Sequence, residues 1–162
     1  MNKIHLIALC VFTLLASGCS KEQTISTPGG DVKMTQKGDT TTLTMNDKGE
    51  KVNIVAASGD KSVALPEKFP SDVPIMPGAT VKMAMSVGEN LSVNFSVSSS
   101  QADAVKFYQD NLKTKGWEIE ATMNMGEATM ISAKKGNREC AISVLKDSSG
   151  TFVQVVVPNE KS

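Results

Sequence analysis

From Trp117 to Met125 the chain alternates without a break: Trp117, Ile119, Ala121, Met123 and Met125 stand against Glu118, Glu120, Thr122 and Asn124. A period of two belongs to a strand with one face in a core and the other in water. The same period recurs upstream. Val81, Met83, Met85 and Val87 alternate with Lys82, Ala84 and Ser86, and after a Gly88-Glu89-Asn90 turn Leu91, Val93, Phe95 and Val97 alternate with Ser92, Asn94 and Ser96. Three more strands are expected over Ala128–Lys134, Arg138–Leu145 and Thr151–Val157, each bounded by residues that favour turns.

One segment breaks the period. Ser100 is placed to cap a helix, with Asp103 three residues on; Val105, Tyr108 and Leu112 line one face, with Ala104 and Phe107 beside it. Lys113 and Lys115 suit the last turn and Gly116 the exit. Strand, strand, helix and four strands predict an α+β domain over residues 80–158, an antiparallel sheet with one helix packed on one face. Phe95, Tyr108, Leu112 and Trp117 are expected to share its core.

The preceding chain divides into three. Residues 65–79 carry Pro66, Pro70, Pro74 and Pro77 among Leu65, Phe69, Val73 and Ile75, which excludes helix and central strand and predicts an extended strap along the core edge. Residues 31–64 read as a small β meander with turns at Gly38, Gly49 and Gly59. Residues 19–30 are polar and aperiodic, and Pro28-Gly29-Gly30 would interrupt a strand there, so they read as a tether.

At the N-terminus, Lys3 and the apolar stretch Leu6 to Leu15 lead into Leu14-Leu15-Ala16-Ser17-Gly18-Cys19. An apolar run of that length suits a cleaved signal and is too short for a permanent membrane span. The motif resembles that of bacterial lipoprotein precursors. This resemblance implies a signal peptide over residues 1–18, diacylglycerol on the Cys19 thiol, an N-acyl chain such as palmitate on its amino group, and a protein held to the membrane of the cell envelope. Ser20 after the cysteine is similar to the outer-membrane sorting pattern of Gram-negative bacteria, which implies the periplasmic face of the outer membrane. A second resemblance rests on Leu65-Pro66, Phe69-Pro70-Ser71-Asp72-Val73-Pro74, Pro77-Gly78-Ala79, Phe107-Tyr108, Leu112 and Gly116-Trp117. It is to a domain of envelope lipoproteins, spanning Leu65 to Val157, that brings no activity with it. Helix-on-sheet domains of outer-membrane assembly accessory lipoproteins offer a looser likeness, at the level of fold alone.

Composition narrows the function. Seventeen basic residues balance seventeen acidic ones and Arg138 is the only arginine, so no field or phosphate-gripping cluster favours nucleic acid. The one histidine, His5, lies within the signal, which leaves the mature chain without histidine-based nucleophile systems or histidine-ligated zinc. Of three cysteines, Cys10 leaves with the signal and Cys19 is the acylation site; Cys140 stands alone in an apolar strand and reads as core.

No enzyme is expected, and beyond the covalent lipid no cofactor. Glu118 and Glu120 are paired carboxylates, the one constellation on which a carboxylate enzyme could rest, and a solvated strand face accounts for them as well. Met83 and Met85, with Met123 and Met125, form two Met-x-Met pairs of the soft kind that suits Cu(I), set against the plainer role of adaptable core filler. The remaining expectation is a non-enzymatic binding or scaffold module with an envelope protein as partner. If Val153, Val155 and Val157 face the helix, then Met130, Leu145, Phe152 and Val156 share the opposite face, which either the meander covers or a partner does.

Overall fold

The computed structural model describes residues 21–27, 30–47, 50–147 and 150–158. The elements are β1 (Lys21–Thr27), β2 (Gly30–Lys37), β3 (Thr40–Asp47), β4 (Glu50–Ala57), β5 (Thr80–Val87), β6 (Asn90–Val97), α1 (Gln101–Thr114), β7 (Glu118–Met125), β8 (Ala128–Lys135), β9 (Arg138–Asp147) and β10 (Gly150–Pro158).

All ten strands belong to one antiparallel sheet, ordered β1-β2-β3-β4-β5-β6-β10-β9-β8-β7. This corrects the expected α+β domain preceded by a separate small meander. Among the described residues the architecture is a single large sheet carrying one helix. Backbone pairing of β4 with β5, from Val52 opposite Val87 to Ala56 opposite Met83, joins the meander edge-on to the rest. Residues 19–30 are corrected too, because Lys21–Thr27 forms β1 and pairs along its length with β2. A strand with a single apolar side chain, Ile25, has no period to betray it; its pairing is a property of the backbone.

The helix covers only part of one face. Ser100 caps it, its hydroxyl accepting from the Asp103 backbone N–H at 3.2 Å, and Gly116 takes a φ of 80° just past its end. Ala104, Tyr108 and Leu112 turn fully inward over β7–β10 and join one buried core with Val93, Phe95, Trp117, Ile142 and Val155. Burying each of the larger side chains stabilises the fold by roughly 1.5–3 kcal/mol. Tyr108 is held neutral by its burial, and its hydroxyl lies toward the Met76 backbone without the geometry of a full hydrogen bond.

Residues 58–79 hold no helix or strand and complete this layer beside α1. Short backbone turns at Phe69, Val73 and Ala79 fold the segment, while Val63 and Val73 reach the core. One cluster pins it in place. The Trp117 indole N–H donates to the Asp72 carbonyl at 2.9 Å, and the Asp72 carboxylate accepts a two-pronged grip from Arg138 and a bond from Lys135 at 2.7 Å. Arg138 lies 5.0 Å from the centre of the Trp117 ring.

Two bulges decide what faces where. In β5, Val81 pairs with Phe95 but Met83 pairs with Asn94, so Lys82 is an extra residue; in β7, Ile119 pairs with Ala133 but Ala121 with Ser132, so Glu120 is extra. Each extra residue swaps the faces of all that follow. Val81 and Ile119 therefore stay on the helix side, whereas Met83, Met85, Met123 and Met125 pass to the other. The expected single-faced runs from Val81 to Val87 and from Trp117 to Met125 are overturned.

Candidate docking face

Residues directly opposite in antiparallel strands share a face, so the pairings trace the side that the helix leaves open. One row runs across all ten strands: Gln23, Met34, Leu43, Ile54, Met85, Ser92, Val156, Ala141, Ser132 and Ala121. Seven of the chain's nine methionines belong to this open face. Its middle is polar, with Asn94, Ser96, Gln154 and Ser143, and this separates two apolar fields.

The near field lies on β1–β5, with Ile25, Val32, Met34, Leu43, Met45, Val52 and Ile54. On the reverse side the same strands carry Thr35, Thr42, Thr44 and Asn53, where the Thr44 hydroxyl donates to Asn53 Oδ1 at 3.2 Å. Polarity thus changes sides along the sheet. The main core points toward α1, whereas on β1–β3 the apolar side chains point away from it, and Val55 and Ala57 of β4 still pack against the core.

The far field holds the side chains singled out for a partner. Phe152 stands opposite Leu145, Val156 opposite Ala141, and Met130 opposite Ser143 on the next strand. Leu145 and Val156 are more than a third exposed, while Phe152 and Met130 are half-buried. A hollow of about 270 Å³ at its foot is lined in part by Ser132, Ala141 and Val156. The meander does not fold over this field among the described residues: β4 joins β5 edge-on and extends the sheet, and Leu145 and Val156 stay exposed.

Exposure singles out this face. Among the described residues eight large apolar side chains are exposed, and six of them, Ile25, Met34, Met123, Met125, Leu145 and Val156, lie on it. The other two, Leu65 and Ile75, border a cleft of about 370 Å³ between the strap and α1, with Phe69, Val73 and Phe107 in its wall and Lys115 at its rim. Sequence reasoning missed this cleft, because every apolar strap residue was assigned to the core edge.

The methionine pairs do not converge. Met83 and Met85 on β5 stand five strand spacings from Met123 and Met125 on β7, about 24 Å. What comes together instead is Met123 opposite Met130, with Met125 about 7 Å along the same strand face. Core filler does not describe Met123 and Met125, which are 51% and 56% exposed.

The other candidates are dispersed. Glu118 lies opposite Lys134 and Glu120 occupies the β7 bulge; both are exposed and neither lines a described cavity. No cluster of histidine, cysteine and carboxylate suited to a metal ion occurs among the described residues. Cys140 is buried, and burial together with the nearby Asp72 charge pushes its thiol up to about 12. Cys19 lies outside the described residues.

A family model described as START domain-like matches residues 79–150, the stretch from the start of β5 through α1 to the threshold of β10. Neither a curated protein nor a solved structure gives a match.

Proposed function

We propose that this chain is a lipid-anchored lipoprotein of the cell envelope, acylated at Cys19, that works as a non-enzymatic docking module. The observation that carries the docking part is the open sheet face, whose far field of Met130, Leu145, Phe152 and Val156 has no cover among the described residues. Apolar patches of that kind on soluble domains are normally occupied. For the anchor, the support is the run Leu14 to Cys19 after a short apolar stretch. Ser20 favours the outer membrane in a Gram-negative host. Partners are then the membrane, through the lipid, and an envelope protein, through the far field; no nucleic acid is involved. The test of the anchor is metabolic labelling with a fatty-acid analogue. Label should enter the wild type and be lost in Cys19→Ser, and label that survives the substitution overturns the reading.

A second reading, soft-metal binding, is favoured by the Met123–Met130 cross-strand pair and the adjacent Met125. Three thioethers on one exposed hairpin face suit Cu(I), whereas Met83 and Met85 are too distant to share the ion. Competition with a Cu(I) chelator decides it: uptake by the wild type that vanishes in Met123→Leu/Met130→Leu supports the site, and equal uptake by both removes it.

A further inference from the structure

Cys19 precedes β1 by a single residue, so an acyl anchor on its thiol lies within about 7 Å of the first strand residue, Lys21. No spacer stands between lipid and sheet. The strand so anchored is the edge of the sheet, and the open face beside it is apolar: Ile25 is 60% exposed and Met34 37%, while Val32 and Leu43 behind them are half-buried. The opposite face of these strands is hydrated and carries the Lys33–Glu22 ion pair. The most exposed apolar side chain of the sheet, Ile25, thus lies on the anchored strand, with Lys21 and Gln23 between it and the anchor on the same face.

From this juxtaposition we infer that the open face of β1–β3 lies in the headgroup boundary of the anchoring bilayer, with Ile25 and Met34 dipping toward the acyl chains. The inference rests on acylation of Cys19. Lipid is the occupant because the anchor keeps this edge at a bilayer surface at high effective concentration, whereas a second copy must be met by diffusion. Lys21, on the same face at the anchored end, has a stem long enough to leave its ammonium among the headgroups. Successive strands rotate by about 20–25°, so the sheet turns away from the bilayer within a few strands and the far field faces into the aqueous space.

The test uses the acylated full-length protein in vesicles of phosphatidylethanolamine and phosphatidylglycerol containing brominated phospholipid. Ile25→Trp reports on the near field and Val156→Trp on the far field; Trp117 is buried on the helix side and gives a common background. Met34→Trp serves as a second near-field reporter should Ile25→Trp fold poorly. The emission added at position 25 should be quenched by the bromolipid and that added at 156 should not. Equal, weak quenching at both, with the protein still floating with the vesicles, overturns the inference and leaves the anchor intact. Unquenched but blue-shifted emission at 25 with a doubled mass makes a second copy the occupant and likewise overturns it. Failure to float, with no acyl chain by mass spectrometry, removes the anchor reading and this inference together.

Discussion

Arg138 grips the Asp72 carboxylate with both arms of its guanidinium while stacking on Trp117, whose own N–H holds the Asp72 carbonyl at 2.9 Å. One aspartate thereby fastens the proline-rich strap to β9 and to the exit of the helix. Its burial alone would raise the carboxyl, but the hydrogen bonds from Arg138 and Lys135 outweigh that and hold it below its ordinary value of 3.8. A depressed carboxylate contributes stability that is complete above the unfolded value and lost as the pH falls through the folded one. Asp72→Asn should therefore lower stability at pH 7 by about 1–3 kcal/mol and flatten the loss of stability below pH 4. Urea melts across that range check it; parallel curves for variant and wild type would mean that the cluster contributes nothing.

Leu112 has no exposed surface and belongs to the inward face of α1 with Ala104 and Tyr108. Leu112→Ala should cost about 2–5 kcal/mol in denaturant melts of the mature protein. A loss below about 0.5 kcal/mol would be at odds with its burial.

The Cys140 thiol, raised to about 12, stays protonated and enclosed through the ordinary range. A thiol reagent should not modify it between pH 7 and 9 in the native protein, yet react fully in guanidinium chloride. Rapid native labelling would show that β9 opens.

Phe152→Asp separates packing from docking. Phe152 is half-buried against Leu145 on the open face and nothing described lies over it, so the substitution should lower stability by no more than about 1 kcal/mol while abolishing cross-linking to an envelope partner. A loss of 2 kcal/mol or more would reveal a cover from within the protein.

Much of this architecture could be read from side chains. Ser100 and Gly116 bracket the helix, and the alternation from Cys140 to Val144 and from Val153 to Val157 assigns β9 and β10 to the correct faces, which is why Met130, Leu145, Phe152 and Val156 were found as one field. What stayed hidden belongs to the backbone. Nothing in the letters around Lys82 or Glu120 marks a bulge, so two strands looked uniformly one-faced when each changes sides. The polar stretch Lys21–Thr27 gives no period, and the edge-on union of β4 with β5 is made by amide groups that every sequence possesses.

Those bulges act as spacers in a reading frame. With Lys82 and Glu120 in place, Met83, Met85, Met123 and Met125 fall on the open face. Deleting either spacer would shift the frame by one, swinging two sulfur-bearing side chains into the packed layer and driving small or polar neighbours out the other way. Every residue would be unchanged in kind and wrong in address. For these two strands, then, length is the more tightly constrained variable: a conservative exchange along β7 alters one contact, whereas the loss of a single exposed glutamate would redirect an entire edge of the molecule.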